Sequence, residues 1–230
     1  MTAFGRWLPA ITQTSVVRKA ALGVAGLAFV GGAVAGPSME ATSPVPPMNL
    51  VAATQSVQQA PSAKETSAQY ERQPNFYYCG PASTKIALTA HGHDLTQDEL
   101  AKMLGTTTNG TDSAEDITRV LNKVKGGDSY RTSEIRGQKA TDKEKDQLRA
   151  DVVDAIRDGD PVVANIIGTA IDTDGNAHSF PGGHYLTVVA YKDDGRTVKI
   201  ADPAETRGDG TYWMSTNDLA NWIASRGYSA

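Results

Sequence analysis

Cys79 is the strongest candidate for a reactive side chain, because it is the single cysteine of a 230-residue chain. Gly80 and Pro81 follow it, and proline is favoured in the first turn of a helix, so we expect Cys79 at a helix start. There the positive end of the helix dipole favours the thiolate, which is the nucleophilic form of cysteine. Covalent catalysis by a thiolate also needs an imidazole to take the proton, a polar group to orient that imidazole, and donors for the negative oxygen formed during attack.

Four helices are predicted in the first half of the domain, and a fifth near its end. The first begins at Cys79 and runs to about residue 90, where Gly92 stops it. The next three begin at capping residues paired with an acid three positions later, namely Thr96 with Glu99, Ser113 with Asp116 and Thr141 with Glu144. The closing helix is expected over residues 216–225.

Strands are predicted to dominate the second half. The apolar run 162–167 is typical of a buried strand. Residues 184–191 and 197–201 flank a turn with an Asp-Gly pair, which predicts a β-hairpin. Residues 212–214 predict a last short strand. Helices followed by antiparallel strands indicate an α+β fold.

Three motifs, in this order, resemble those of papain-like cysteine peptidases, closest to the peptidases that trim double-glycine leader peptides from bacteriocins. The motifs are QPNFYYCGPA at residues 73–82, GGHYLTVV at residues 182–189 and IADP at residues 200–203. The similarity spans roughly residues 70–225. It implies a papain-like fold, with N-terminal helices packed on an antiparallel sheet, and the activity of a cysteine peptidase.

The resemblance also implies a role for each matching residue. Cys79 matches the nucleophile, His184 the catalytic base, and Asp202 the residue that orients the imidazole. Gln73, six positions before the cysteine, matches the side chain that joins the cysteine's backbone N–H in the oxyanion hole.

The predicted hairpin supports two of these roles, because His184 begins one strand and Asp202 follows the next, and antiparallel pairing can bring those ends together. Gly182 and Gly183, just before the histidine, are expected to leave room for the backbone of a bound substrate.

Each candidate also has a simpler interpretation. A lone cysteine such as Cys79 can be a small buried apolar residue, and His184 can be an ordinary hydrogen-bonded strand residue. Asp202, before Pro203, can act only as a turn former, and Gln73 can simply be solvated.

The remaining histidines are not expected to take part in chemistry. His91 and His93 stand two apart near a helix end and lack the further ligands of a zinc site, so neither a metal nor another cofactor is expected. His178 lies in the polar segment 172–179, and we expect it to be a solvated loop residue.

Residues 1–35 have the pattern of a secretory signal peptide, with Arg18 and Lys19 before an apolar run and small residues at 33–35. The run is short compared with the ~20 residues of a spanning helix, so we expect cleavage and an extracellular location; an uncleaved anchor is the alternative. Residues 36–68 are rich in Pro, Ser, Thr, Ala and Gln and are expected to be a disordered linker. The peptidase domain is therefore expected at residues 69–230.

The formal net charge of −4 argues against nucleic acid or anionic lipid as the main partner, because both require a basic surface. The expected partner is a peptide or protein substrate. No stable membrane insertion is expected after signal cleavage, and the domain is expected to be a monomer.

Three other functions fit the same motifs. The acyl group could pass to an amine, as in transglutaminase-like enzymes. The domain could be an amidase of cell-wall peptides, although NlpC-type enzymes usually carry Asp-Cys-Ser rather than Cys-Gly-Pro. It could also be a binding module that does not use its site, although Cys79, His184 and Asp202 are all present. Leader-trimming relatives are normally fused to a transporter on the cytoplasmic side, whereas this chain is expected to be exported. The resemblance therefore does not imply that leader peptides are its substrates.

Overall fold

The structure, a computed structural model, describes residues 61–230. The predicted signal peptide and residues 36–60 of the predicted linker lie outside the described residues. The helices are α1 (Cys79–Thr89), α2 (Gln97–Leu104), α3 (Ala114–Lys125), α4 (Asp142–Asp158) and α5 (Thr216–Ile223). The strands are β1 (Lys64–Glu65), β2 (Thr132–Ile135), β3 (Val162–Ile171), β4 (Ala177–Lys192), β5 (Thr197–Ala201), β6 (Thr211–Ser215) and β7 (Arg226–Ser229).

The strands form one antiparallel sheet in the order β2-β7-β3-β4-β5-β6, and β1 pairs with the end of β4. The N-terminal helices pack on this sheet, so the predicted α+β fold is confirmed. β4 is the longest strand and lies near the centre, between β3 and β5. β4 pairs with β3 on one side and, from Thr187 to Lys192, with β5 on the other, so the segment that carries His184 is held against β3.

Helices cover both faces of the sheet. Side chains alternate along β3 and β4, so neighbouring residues of one strand pack against different helices. Val163 and Tyr185 belong to the apolar cluster formed with α1, α2 and α3. Their neighbours Ala164 and Leu186 belong to the larger cluster formed with α4 and α5. Burial of one leucine or isoleucine side chain contributes about 1.5–3 kcal/mol, so the two clusters fix the sheet between the helix layers.

The predicted helix starts after capping residues are confirmed. Thr96 and Thr141 each form a capping box, and Ser113 accepts the amide of Asp116. α1 differs, because its N-cap residue, Tyr78, makes no side-chain capping bond. None of the five helices within residues 61–230 combines the length and apolar character needed to cross a membrane.

The sheet is larger than predicted. β3 and β4 extend to residues 171 and 177, where the segment from Asp172 to Asn176 closes a second hairpin. The Asp172 Oδ1 atom accepts the amides of Asp174 and Asn176 in this turn. β2 and β7 were not predicted, because each is only four residues long and neither alternates clearly between polar and apolar residues.

Residues 61–68, which belong to the predicted linker, contact the sheet in the structure. β1 pairs with Ala190 and Tyr191 of β4, and the Thr66 amide donates to the Val189 carbonyl at 2.9 Å. The Tyr191 hydroxyl donates to the Pro61 carbonyl at 2.9 Å. Backbone pairing with a free strand edge does not depend on apolar side chains, so the polar composition did not reveal it.

This N-terminal arm, residues 61–68, should stabilise the domain. A chain of residues 69–230 should have a free energy of unfolding about 1–3 kcal/mol below that of residues 61–230, since several net-favourable hydrogen bonds are lost. Urea unfolding of the two chains measures the difference. Thr66→Pro, which removes one amide donor, should reproduce part of the loss, and Thr66→Ala should cost less. Equal midpoints for the long and short chains would show that the arm contributes nothing.

Candidate active site

Cys79 is the first residue of α1 and is 8% exposed. Asn75 closes the turn before it: its side-chain oxygen accepts the amide of Tyr77 at 3.2 Å, and its carbonyl accepts the amide of Tyr78 at 3.4 Å. No side-chain cap uses the amides of the first turn of α1. These free donors and the helix dipole favour negative charge at Cys79.

Gly80 fixes the start of α1 against the loop before α3. A Cβ atom at this position would lie 2.3 Å from Thr111 Oγ1, so only glycine fits without moving that loop. The Thr111 carbonyl accepts the Tyr185 hydroxyl at 3.4 Å. Because Tyr185 follows His184 in β4, this contact connects the cysteine's helix to the histidine's strand.

His184 and Asp202 form a buried pair at the other side of the site. The His184 Nε2 atom lies 2.7 Å from the Asp202 Oδ1 atom, and the residues are 4% and 1% exposed. Asp202 directly follows β5, whose last residue, Ala201, lies opposite Thr187 of β4. The structure thus brings together the two strand ends in the way the hairpin predicted.

Two further groups hold the Asp202 carboxylate, and an aromatic ring covers the imidazole. The Tyr212 hydroxyl donates to Asp202 Oδ2 at 3.0 Å, and the Ala204 amide donates to Oδ1 at 2.9 Å. Burial and the nearby Asp202 carboxylate raise the pKa of Tyr212, so it stays a protonated donor. Phe180 stacks on His184 with ring centres 3.9 Å apart, which keeps water from the His184–Asp202 hydrogen bond.

The electrostatics of the site favour an ion pair. Burial alone would raise the pKa of the Cys79 thiol, but the hydrogen bond and charge of His184, with the amides of Tyr185 and Gly80, lower it below its ordinary value. Burial alone would lower the pKa of His184, but Asp202 and Cys79 raise it to about 9. Both shifts move the pair toward thiolate and imidazolium.

The imidazole can therefore serve two partners at once. Its Nε2 atom is used by Asp202, which leaves Nδ1 for the thiol of Cys79. A thiolate held in this way can attack a carbonyl carbon, and the adjacent imidazolium can then supply a proton to a leaving group.

The backbone of Gln73 is bound to the loop that follows Asp202, and its side chain makes a local contact. Its amide donates to the Pro203 carbonyl at 3.0 Å, which places it beside the residue after Asp202. Its Nε2 atom donates to the Asn75 carbonyl at 2.7 Å, and its Oε1 atom has no hydrogen-bond partner among the described residues. A side-chain amide has two N–H groups, so one remains for the predicted oxyanion role, which stays a prediction.

Gly182 and Gly183 lie in an irregularity of β4 immediately before His184. Three residues of β4, from Pro181 to Gly183, stand opposite Ile167 alone on β3. Gly182 is exposed, and a Cβ atom there would meet nothing within 4 Å. Gly183 has a φ of +92°, a conformation that side chains disfavour. The approach to His184 is therefore open, and the predicted substrate contact stays a prediction.

His178 does not lie in a solvated loop, and that prediction is wrong. It is buried within β4, its Nε2 atom lies 3.0 Å from Asp172 Oδ2, and its ring stacks on Tyr212 with centres 3.8 Å apart. It therefore supports the tyrosine that binds Asp202. The Asp174-Gly175 pair, a hairpin signal, could have shown that β4 starts before His178.

The residues near His91 and His93 show no metal-binding arrangement. The His91 Nε2 atom lies 2.6 Å from Asp160 Oδ1, and Lys125 binds the same carboxylate oxygen. Within residues 61–230, no group of three or more His, Cys, Asp or Glu side chains is placed to hold a metal ion.

This fold and this set of side chains are of the kind found in thiol-dependent peptidases. The profile of the Peptidase_C39 like family matches residues 65–230. The chain belongs to this family of cysteine peptidases, which confirms the predicted resemblance. No curated protein matches the sequence.

Several solved structures are similar to the chain. The peptidase domain of Streptococcus ComA, a bifunctional ABC transporter involved in a quorum-sensing pathway, shares 18% identity with a TM-score of 0.47, over 70% of this chain and 96% of that one. Xylellain, a cysteine protease from Xylella fastidiosa, shares 12% identity with a TM-score of 0.48, over 74% and 86%. A double-glycine-motif protease from an AMS/PCAT transporter, in complex with the leader peptide, shares 14% identity with a TM-score of 0.44, over 72% and 91%.

The ion pair predicts an unusual pH dependence of alkylation. Because the pKa of Cys79 is lowered, its reaction with iodoacetamide at neutral pH should be faster than that of an ordinary thiol, and the rate should fall at a lower pH, where the thiolate takes up a proton. Above the pKa of His184 the thiolate persists, so the rate should not fall there. The urea-unfolded chain is the control, with the behaviour of an ordinary thiol of pKa ~8.5. Coincident profiles for folded and unfolded chains would exclude the ion pair.

Proposed function

We propose that the domain hydrolyses peptide bonds through a thioester formed on Cys79. The observation that carries this proposal is the buried chain of contacts from Cys79 to His184 to Asp202, with shifted pKa values at the first two residues. Membership of the C39-like family supports the same reaction class. A binding module would not need a thiolate maintained against burial, so this arrangement favours an enzyme.

In the proposed reaction, Cys79 Sγ attacks the scissile carbonyl carbon and the carbonyl oxygen becomes an oxyanion. The Cys79 amide and the free N–H of the Gln73 side chain stabilise that oxygen. The C–N bond then breaks as His184 gives its proton to the leaving amine, which leaves a thioester. Neutral His184 next takes a proton from water, the hydroxide attacks the thioester, and the free acid and the Cys79–His184 pair are restored.

Asp202 acts on this cycle by orienting His184 and by stabilising its positive charge. The carboxylate accepts hydrogen bonds from Tyr212 and Ala204 as well as from the imidazole. It is therefore fixed in place before substrate binds, so little reorganisation is required when the imidazolium forms.

The substrate of this reaction is a peptide that passes the segment Pro181–Gly183. This segment carries no side chain beyond the proline ring and lies directly before His184. The bound leader peptide in the AMS/PCAT protease shows a peptide as the ligand of that protein. By analogy we propose a peptide segment, in extended form near the scissile bond, as the ligand here.

The proposed site of action is outside the cell. The support is in the sequence: a basic residue pair, an apolar run and small residues within positions 1–35. The mature chain should then begin near Gly36 and occur in the culture medium, as N-terminal sequencing would show. Recovery only from membranes, with residues 1–35 intact, would favour an anchored protein instead.

Single substitutions at the four candidate residues should lower turnover to different extents. Cys79→Ala should abolish turnover, and His184→Ala should lower kcat nearly as far, because members of a catalytic set are strongly non-additive. Asp202→Ala should cost less, and Asp202→Asn less still, since an amide oxygen can accept the imidazole N–H but offers no charge. Gln73→Ala should lower kcat roughly 10- to 1,000-fold if its amide stabilises the oxyanion.

The measurement is kcat/KM on peptides that the wild-type domain cleaves, found first by profiling the cleavage of a mixed peptide library. Ser62→Ala, in the arm far along the chain from the site, serves as a control for handling and folding. Wild-type turnover by Cys79→Ala would show that the nucleophile is wrong. Full activity of Asp202→Ala together with an inactive His184→Ala would reduce Asp202 to a turn residue.

A further inference from the structure

Arg226 of β7 is a positive side chain that the proposed reaction does not use. It lines a cavity of about 320 Å³ between β2, the start of α3 and the centre of the sheet. Asn165 of β3 and Glu115 of α3 lie in the same lining. The chain as a whole is acidic, so an arginine in such a cavity requires a physical reason.

The charge of Arg226 is not neutralised within the described part of the chain. No carboxylate among residues 61–230 lies within 4.0 Å of its guanidinium, and its buried Nε atom has no hydrogen-bond acceptor. Arg72 and Arg131 also form no ion pair there, but both are exposed, whereas Arg226 is half-buried. A desolvated donor without an acceptor is costly, so the site gains stability when an anion occupies it.

The cavity is adjacent to the proposed reaction centre. An Nη atom of Arg226 lies 3.8 Å from the position that a Cβ on Gly183 would take, and Gly183 precedes His184. On the other side, Asn165 Nδ2 donates to the Tyr185 hydroxyl at 3.0 Å, and the Tyr185 amide faces the thiol of Cys79. A peptide that passes Gly183 would therefore carry side chains toward Arg226 close to its scissile bond.

The acids in the lining do not satisfy this charge. Glu134 is bound to Arg136 at 2.9 Å. Glu115 is exposed and lies in the first turn of α3, where the helix dipole favours negative charge. Of the two acids in the lining, Glu115 is therefore the one left to compete with an incoming carboxylate, and the same dipole that favours Glu115 also favours an anion bound beside it.

We propose that Arg226 binds a carboxylate of the peptide substrate, namely an Asp or Glu side chain within one or two residues of the scissile bond. The planar guanidinium can donate two parallel hydrogen bonds to a carboxylate, and the neutral amide of Gln or Asn cannot replace the charge. Arg226 is thus a specificity-determining residue. This inference rests on the proposed peptidase function for its substrate, but binding can be tested without turnover.

The experiment compares matched peptides that carry Glu or Gln at each of the two positions on either side of the cleaved bond. The wild-type domain should show kcat/KM roughly 10- to 100-fold higher for Glu at one of these positions, as expected for a hydrogen-bonded charge pair. Arg226→Gln should remove this preference, and Arg226→Glu should favour Lys instead. Arg131→Gln is the matched control: it removes an equal charge from an exposed arginine that lies outside this lining, so the preference should persist. Glu115→Gln should increase the preference by removing the competing acid.

Binding of the same peptides to Cys79→Ala, measured by fluorescence anisotropy, separates this inference from the proposed function. Glu-selective binding that Arg226→Gln abolishes would support the subsite even if no peptide is cleaved. Cleavage or binding that does not distinguish Glu from Gln at any position would overturn it. A second set of peptides carries either a free or an amidated C-terminus. If binding depends only on the free terminus, Arg226 binds the carboxylate of the chain end, and the side-chain proposal is overturned. If Arg226→Gln does not fold, Arg226→Lys keeps the charge but not the planar fork and should still weaken the Glu preference.

Discussion

The buried hydrogen bond between His184 and Asp202 is the interaction on which the rest of the site depends. Two ionisable groups this deep in a protein must be paired, because an unpaired charge there carries a large desolvation cost. The pairing is possible because β4 and β5 are neighbours in the sheet and Asp202 follows the end of β5 directly. Tyr212, on β6, adds a donor to the same carboxylate. Three consecutive strands thus fix one imidazole, and the opposite ring nitrogen remains for Cys79.

The helix layer supplies the other half of the ion pair. α1 packs on the sheet, and the Thr187 hydroxyl donates to the Ser83 carbonyl at 3.0 Å, so the helix is joined to β4 by a polar contact as well as by apolar packing. Gly80 allows the helix start to approach the loop at Thr111 closely. A site assembled between two rigid layers keeps its distances before substrate arrives, which is the condition for electrostatic catalysis.

Much of this site was predictable because its signals are local. The capping residues marked the helix starts, and the spacing of His184 and Asp202 around an Asp-Gly turn marked the hairpin. The Asp174-Gly175 pair marked the strand position of His178, but its stacking on Tyr212 and the position of Arg226 beside Gly183 were not predictable, because they depend on contacts between strands that are distant in sequence. His178 is buried only because β4 continues past the irregularity at Gly182 and Gly183, and Arg226 reaches Gly183 only because β7 lies beside β3.

The most direct test of the ion pair between Cys79 and His184 is the protonation state of His184 in the resting domain. The measurement is the ¹⁵N spectrum of histidine-labelled protein at pH 7.5, with the His184 signals assigned by their loss in His184→Gln. The ion pair predicts an imidazolium, with both ring nitrogens protonated, and a His184 pKa that falls in Cys79→Ala because the thiolate no longer stabilises the charge. A neutral His184 ring in the wild-type domain at this pH would contradict the ion pair and the mechanism built on it.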